Sequence, residues 1–235
     1  MIVSTHQPHY IPWIGYLHKI SKSDTFVILD NVQYTKNSYI NRNSIRHKEG
    51  TILLTVPVKY KGASKYIIKD IEIDKSSGFK GLHKHLKTLT MNYNSGVGFD
   101  EFFPIIEHLY SKEYKWIFDL DHQLLLAILE YLKIDTEIVI SSEENIHGAK
   151  EDELFLSMLE KTKSDTLLLG LGASMKYVNT ESVTEKGYKI TYQKFVHPVY
   201  KQRNFSDFIN GISIVDMLFN NSQSEAIEII KNCSS

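Results

Sequence analysis

The amino-acid sequence predicts an α/β fold with a mostly parallel, Rossmann-like sheet and a helical insert. Short apolar runs typical of buried strands recur at residues 1–5, 25–29, 137–140 and 166–169. Segments with apolar residues at helical spacing separate them. A block without strand patterns, residues 76–133, interrupts this alternation. We therefore predict one compact unit, with an α/β core formed by residues 1–75 and 134–235 and a helical insert formed by residues 76–133.

The first βαβ unit is the most informative part of the sequence. A strand at residues 1–5 is followed by a polar turn at 6–11, a helix that Pro12 opens, and a strand at 25–29. Proline suits a first helical turn because the N–H that it lacks would have no intrahelical partner. The crossover makes the two strands parallel. The turn therefore lies at the carboxyl edge of the sheet, where open α/β folds bind ligands.

The remaining elements follow from periodicity and turn residues. Residues 31–46 are too polar for the core and predict a loop at the same edge, and residues 51–58 and 66–73 predict a half-exposed antiparallel pair. Asp100 is a candidate N-cap of the second insert helix. Helices are predicted at residues 78–92, 99–109, 113–133, 150–163, 180–186, 212–219 and 223–232, and a last strand at 188–195.

Composition narrows the class of protein. The chain has 235 residues, of which 42% are hydrophobic and 23% charged, as in soluble globular proteins. A net charge of −1 gives no cationic surface for non-specific nucleic-acid binding. No apolar run reaches the roughly 18 residues of a membrane span. Because Cys233 is the one cysteine, we expect neither disulfides nor a cysteine metal site, and we expect a cytoplasmic protein without a membrane partner.

The turn after the first strand carries the candidate catalytic residues, His6 and His9. A turn that only reversed the chain would use Gly, Asn, Asp or Ser. A neutral imidazole can act as a general base towards an amine, with a rate that rises with pH through about 6.5. Gln7 is a candidate substrate-orienting amide, and Tyr10 a candidate for stacking on a base or sugar. The alternatives are that His6 caps the turn or that the histidines bind a metal, but no carboxylate lies near them in sequence.

The segment after the second strand adds further candidate substrate-binding residues. Asp30 either caps the following turn or binds a ribose or a substrate amine. Arg42 suits the bidentate recognition of phosphate or carboxylate, with Lys36 as a second cation and Asn41 as a sugar-orienting amide. The alternative for these three residues is a solvated polar loop.

Two later loops could complete the site. Gly170 and Gly172, in the sequence GLGAS after a strand, could offer backbone N–H groups to a cofactor phosphate, although tight packing also explains such glycines. His197, Tyr200 and Gln202 follow the last strand and form either a second site wall or a proline-stiffened connection. The sequence contains no nucleophile elbow, HExxH, Walker A or kinase motif.

The whole sequence resembles the WbqC-like family in five blocks that occur in order. These are THQPHYIPWIGYLHKI, DTFVILDNVQYTKNSYINRNSI, LLTVPV, YQKFVHPVYKQ and GISIVDMLFNN. Members of the family are found with bacterial O-antigen and other surface-polysaccharide genes. The opening is also similar to that of nucleotidylyltransferase-like ATP enzymes, which have a strand, a Gln-Pro turn and a His-x-Gly-His on the first helix. Here Trp13-Ile14-Gly15-Tyr16 takes that place, and both histidines are absent.

The resemblance to the WbqC-like family implies a role in the biosynthesis of O-antigen and other surface polysaccharides, lipopolysaccharide included. The leading hypothesis is a transferase that attaches an acyl or aminoacyl group, for example glycyl, to the amine of a nucleotide-linked amino sugar. The partners are that sugar and an acyl or amino-acid donor. The donor is ATP with an amino acid, a carrier thioester, or an aminoacyl-tRNA, the one nucleic acid expected as a partner. The alternatives are a nucleotidylyltransferase-like ATP-dependent enzyme and a non-catalytic sugar-nucleotide-binding protein.

Overall fold

The computed structural model describes residues 1–59, 66–76, 78–170, 180–202 and 207–233. In this part of the chain the strands are β1 (Ile2–His6), β2 (Thr25–Ile28), β3 (Arg42–His47), β4 (Gly50–Thr55), β5 (Glu137–Ile140), β6 (Thr166–Leu169) and β7 (Lys189–Tyr192). The helices are α1 (Ile14–Ser21), a 3-10 turn (Ile68–Asp70), α2 (Gly78–Tyr93), α3 (Phe99–Ser111), α4 (Ile117–Leu132), α5 (Glu151–Lys161), α6 (Glu181–Glu185), α7 (Ile214–Asn220) and α8 (Gln223–Lys231).

The central feature is a five-stranded sheet in the order β5-β2-β1-β6-β7. Every pairing in it is parallel, with Val3 opposite Thr25 on one side of β1 and Ile2 opposite Thr166 on the other. The predicted Rossmann-like sheet is therefore confirmed. Because all five strands run the same way, the segments after β1, β2, β6 and β7 leave from one edge, as predicted.

Helices cover both faces of the sheet. Successive side chains of a strand point to opposite faces, and Phe26 and Val27 belong accordingly to two different hydrophobic clusters. Val27 and Val3 pack with α5 and α6, through side chains such as Met158 and Val183. Phe26 faces the larger cluster, which includes α1, the hairpin, the three insert helices and the two C-terminal helices.

The insert helices α2, α3 and α4 pack against the C-terminal helices through a close backbone contact. A Cβ atom at Gly98 would lie 2.1 Å from the carbonyl oxygens of both Leu218 and Asn221. The Gly98 N–H donates to the Phe219 carbonyl oxygen at 3.1 Å. The turn between α2 and α3 therefore approaches the end of α7 as closely as a glycine allows.

The antiparallel hairpin differs from the prediction. It pairs β3 with β4, in the register Arg42 opposite Thr55, whereas the sequence predicted residues 51–58 with 66–73. Val58 and Ile73 meet only in an isolated bridge. The sequence did not predict β3 because Asn43, which is buried in this strand, is polar. The Asn43 side-chain amide donates to backbone carbonyls of the β1–α1 turn, and these hydrogen bonds offset the cost of burying it.

Other departures are local. The N-cap of α3 is Gly98, and the predicted cap Asp100 lies in the first turn, where its carboxylate faces the positive end of the helix dipole. The last strand ends at Tyr192, and Phe195 beyond it packs edge-on against Trp13 at 5.4 Å between ring centroids. No helix in the described ranges combines the length and the apolar character that a membrane span needs.

Replacing Gly98 with alanine tests the contact between the insert and α7. We expect Gly98→Ala to lower the free energy of unfolding by about 1–3 kcal/mol, because backbone atoms must move to admit the methyl group. Urea unfolding followed by circular dichroism measures the change. Val97→Ala is the control, since the Val97 side chain is 51% exposed; equal stability of Gly98→Ala and wild type would contradict the contact.

Candidate functional site

The β1–α1 turn places two imidazoles together at the carboxyl edge of the central strand. The ring centroids of His6 and His9 lie 4.6 Å apart with the rings nearly perpendicular. Tyr16 of α1 stacks on His9 at 4.8 Å and meets His6 edge-on at 5.3 Å. Tyr39, from the segment between β2 and β3, lies 5.2 Å from His9. The two predicted catalytic histidines therefore form one aromatic cluster.

Hydrogen bonds from two distant elements fix the shape of this turn. Ile11 has a positive φ of 38°, which is strained for a β-branched residue. Its carbonyl oxygen accepts from the Asn43 amide and from the Ser213 hydroxyl, each at 2.8 Å. The Asn43 amide also donates to the Tyr10 carbonyl at 3.3 Å. The hairpin and the start of α7 thus hold the turn that carries the histidines.

The tautomer and charge of His6 suit a base. Its Nδ1 lies 3.0 Å from the Gln7 carbonyl oxygen, which can only accept, so in the neutral ring Nδ1 carries the proton and Nε2 the lone pair. Desolvation by surrounding protein and the nearby Lys19 ammonium lower the pKa of His6 to about 4, although the side chain keeps solvent-accessible surface. At neutral pH the ring is uncharged.

His9, Tyr16 and the nearby Asp121 carry buried polar atoms without partners in the described part of the chain. His9 Nδ1, the Tyr16 hydroxyl and both carboxyl oxygens of Asp121 are buried without a hydrogen-bond partner among the described residues. Burial and the neighbouring His6 lower the pKa of His9, and burial raises the pKa of Asp121 well above its usual range. Asp121 in turn contributes to the raised pKa of Tyr16, after desolvation. Burial therefore disfavours the charged forms of both His9 and Asp121.

Sequence reasoning missed Asp121, which lies on α4 of the insert. One signal was present: Asp121 lies four residues after Ile117 and three before Leu124, on the buried face of the helix. A carboxylate on such a face is unusual enough to mark a candidate site.

Lys19 is a second residue that sequence reasoning missed. It is only 8% exposed, and its ammonium donates to the Thr5 carbonyl oxygen at 2.9 Å. Desolvation lowers the pKa of Lys19 to about 8. A Cβ atom at Gly170 would lie 3.9 Å from Lys19 Nζ and 3.8 Å from Gln193 Oε1. No local motif distinguishes Lys19 from a surface lysine, so only the fold places it at the ends of β1, β6 and β7.

The structure brings three predicted binding residues into one pocket of about 290 Å³. Its lining includes Lys36, Asn41 and Arg42, together with Tyr34, Asn37, Thr55, Pro57, Val58 and Asp74. The Arg42 guanidinium donates to the Asn37 side-chain oxygen at 3.3 Å and to its carbonyl oxygen. Asn41 donates to the Val56 carbonyl and accepts from the Tyr34 hydroxyl. The pocket lining therefore combines two cations, Lys36 and Arg42, with one carboxylate, Asp74, and an ordered amide.

Asp30 has internal partners. Its Oδ1 accepts from the Ser141 hydroxyl at 2.8 Å and from the Ser142 N–H at 2.9 Å, and its Oδ2 accepts from the Ser142 hydroxyl at 2.6 Å. Asp30 is 1% exposed. These contacts fix the segment after β5 and not the turn that follows Asp30, which was the capping alternative; a contact with substrate stays a prediction.

Tyr10 lies in the hydrophobic core and not on an accessible wall. The ring is fully buried, and its hydroxyl contacts His85 Nδ1 at 2.8 Å and the Tyr110 hydroxyl. Stacking on a base or sugar would require it to move. Gln7, by contrast, is half-buried beside His6, and the predicted substrate contacts of both residues stay predictions.

The loop after β7 is tied to α7. His197 Nδ1 lies 2.9 Å from the Pro198 carbonyl oxygen, and its Nε2 accepts from the Gly211 N–H at 3.1 Å. The Tyr200 hydroxyl and the Gln202 amide both donate to Asp216 Oδ2. Within the described ranges, no hydrogen bond or ring contact joins His197, Tyr200 or Gln202 to His6 or His9. Their predicted role as a site wall stays a prediction.

Of the two predicted cofactor-binding glycines, one lies among the described residues. Gly170 adjoins Lys19, as described above, whereas Gly172 lies outside the described residues. Among the residues that the structure describes, no group of three or more His, Cys, Asp or Glu side chains could hold a metal ion.

The comparisons with known proteins extend over almost the whole chain. The chain is 30% identical over 233 residues to the uncharacterized protein Rv1507c of Mycobacterium tuberculosis (strain ATCC 25618 / H37Rv), covering 98% of each. No solved structure matches the chain. The WbqC-like protein family matches residues 7–228, a range that includes His9, Lys19, Arg42 and Asp121. The chain therefore belongs to the WbqC-like protein family.

Proposed function

We propose that the chain is a transferase that joins an acyl or aminoacyl group to the amine of a nucleotide-linked amino sugar in surface-polysaccharide biosynthesis. The observation that carries this proposal is His6, a neutral imidazole at the carboxyl edge of the central strand whose Nε2 has a lone pair. The sequence resemblance described above supplies the glycan context.

In the proposed step the amine nitrogen of the sugar attacks the carbonyl carbon of an activated acyl donor. The amine becomes more acidic as it adds, so a weakly basic imidazole can accept its proton at His6 Nε2. The bond between the acyl carbon and the leaving group then breaks, and the leaving group departs with the electron pair. A thiolate or alkoxide leaving group takes the proton back from His6, whereas with a phosphate leaving group, which needs no proton, His6 releases the proton to solvent. The products are an amide and the released carrier group.

The pocket that holds Arg42 suits the nucleotide part of the acceptor. The wall that carries Lys36 and Arg42 can pair with phosphate and outweighs the single carboxylate of the described lining, Asp74, and the volume of about 290 Å³ lies near the lower end of small-molecule sites. The segment that forms this wall is tied to the imidazole turn, because the Tyr10 N–H donates to the Tyr39 carbonyl at 2.9 Å. This connection supports one continuous site from the nucleotide pocket to His6.

Replacing His6 with alanine tests the base. We expect turnover to fall by roughly 10²–10⁴-fold while the amino sugar still binds. Amide product is measured by mass spectrometry with UDP-, GDP- and TDP-linked amino sugars, each with glycine plus ATP, an acyl thioester, or glycyl-tRNA. His147→Ala is the matched control, because His147 is also exposed and also has its Nδ1 near a backbone carbonyl, at 2.8 Å.

Three results would contradict the assignment in different ways. Full turnover in folded His6→Ala would show that His6 is not the general base. Binding of a sugar nucleotide by the wild-type protein without product from any donor would favour the non-catalytic binding protein. An adenylated or nucleotidylated product would favour the nucleotidylyltransferase-like alternative.

The pH dependence of kcat/KM provides an independent test. The neutral form of His6 is the active one, so kcat/KM, calculated for the unprotonated sugar amine, should rise with pH through about 4 and not through the unperturbed histidine value near 6.5. Protein held at each acidic pH and then assayed at pH 7 separates titration from irreversible unfolding. An acid limb near 6.5 that survives this control would show that another group is the base.

Arg42→Ala tests the nucleotide pocket. If the guanidinium pairs with phosphate, its loss should weaken nucleotide-sugar binding by about 1.5–3 kcal/mol. Calorimetry measures the affinity, and Lys48→Ala, an exposed cation in the turn of the same hairpin, is the control. If a folded Arg42→Ala protein binds the nucleotide sugar with unchanged affinity, the phosphate does not bind to Arg42.

A further inference from the structure

Lys19 is a buried cation with few partners. Its side chain is 8% exposed. Among the described residues, Lys19 Nζ donates a hydrogen bond to the Thr5 carbonyl oxygen. An ammonium group has three N–H donors. None of the ion pairs found among the described residues includes Lys19. Burying such a charge is costly unless an anion lies near it.

The Lys19 ammonium lies where two neighbouring strands end. Thr5 is the penultimate residue of β1, and Ser4 pairs with Leu168 of β6, so Gly170 stands just beyond the β6 end of the ladder. A Cβ atom at Gly170 would lie 3.9 Å from Lys19 Nζ and 3.8 Å from Gln193 Oε1. Among the described residues, the ammonium therefore lies beside Gly170 at the carboxyl edge of the sheet.

We propose that Lys19, with the β1 and β6 ends beside it, forms a binding site for a phosphoryl group. The carboxyl edge of a parallel sheet is where open α/β folds place phosphate-bearing ligands. Lysine binds phosphate as a point charge, whereas carboxylates favour the planar fork of arginine. The pKa of Lys19, lowered by burial to about 8, still leaves the ammonium mostly protonated at neutral pH. The proposal does not depend on the transfer reaction.

Binding of inorganic pyrophosphate to the full chain tests the site without any assay of activity. Calorimetry should show that wild type binds pyrophosphate and that Lys19→Gln weakens this binding roughly 10- to 100-fold, the loss of one charge-assisted contact. Lys22→Gln should leave the affinity unchanged, because Lys22 is an exposed lysine at the end of the same helix. The Lys19-dependent binding should persist in Arg42→Ala, which separates this site from the nucleotide pocket.

A second variant keeps the test decisive if Lys19→Gln does not fold. Gly170→Val retains the ammonium and adds a side chain next to it, since a Cβ atom there would lie 3.9 Å from Lys19 Nζ, so it should also weaken pyrophosphate binding at unchanged circular dichroism. The proposal is overturned if wild type binds no pyrophosphate, or if folded Lys19→Gln and Gly170→Val bind it as tightly as wild type. Competition experiments distinguish the two kinds of anion. If acetate displaces pyrophosphate as well as inorganic phosphate does, the site recognises a carboxylate and not a phosphoryl group, and the proposal is overturned.

Discussion

The site depends on the hydrogen bonds that converge on the Ile11 carbonyl oxygen. A β-branched residue at positive φ costs about 1–3 kcal/mol, and Asn43 and Ser213 hold Ile11 there from the hairpin and from the start of α7. His6 and His9 lie in the same short turn, so their approach to each other depends on elements far away in the chain. The hairpin and the C-terminal helices thus act as supports for the N-terminal turn.

Electrostatics at the carboxyl edge favour a neutral interior beside one buried cation. Desolvation lowers the pKa values of His6, His9 and Lys19 and raises that of Asp121. Burial thus disfavours the charged forms of His6, His9 and Asp121, whereas the Lys19 ammonium, with a pKa of about 8, stays mostly protonated at neutral pH. Because none of the ion pairs among the described residues includes this ammonium, no described carboxylate neutralises its field, and an anion at this edge would be attracted to it. The parallel sheet and the charge of Lys19 therefore both favour binding of a negatively charged ligand at the carboxyl edge of the sheet.

The sheet could be predicted because its strands, such as residues 166–169, are continuous apolar runs, as buried parallel strands must be. The hairpin could not be predicted, because the hydrogen-bond partners of the buried Asn43 amide are backbone carbonyls of Tyr10 and Ile11, far away in the sequence. For the same reason, Tyr10 looked like a ligand contact although it is buried. Asp121 and Lys19 are single residues without a motif, and only tertiary structure joins them to the histidines.

The position of β1 at the centre of the sheet has a consequence for folding. Val3 meets its β2 partner, Thr25, within the first βαβ unit, but Ile2 meets Thr166 only after most of the chain has been made. Until then the second edge of β1 exposes unpaired N–H and carbonyl groups in an apolar strand, the kind of edge that other chains can join. The closing of the β1–β6 ladder is therefore the step at which productive folding competes with aggregation.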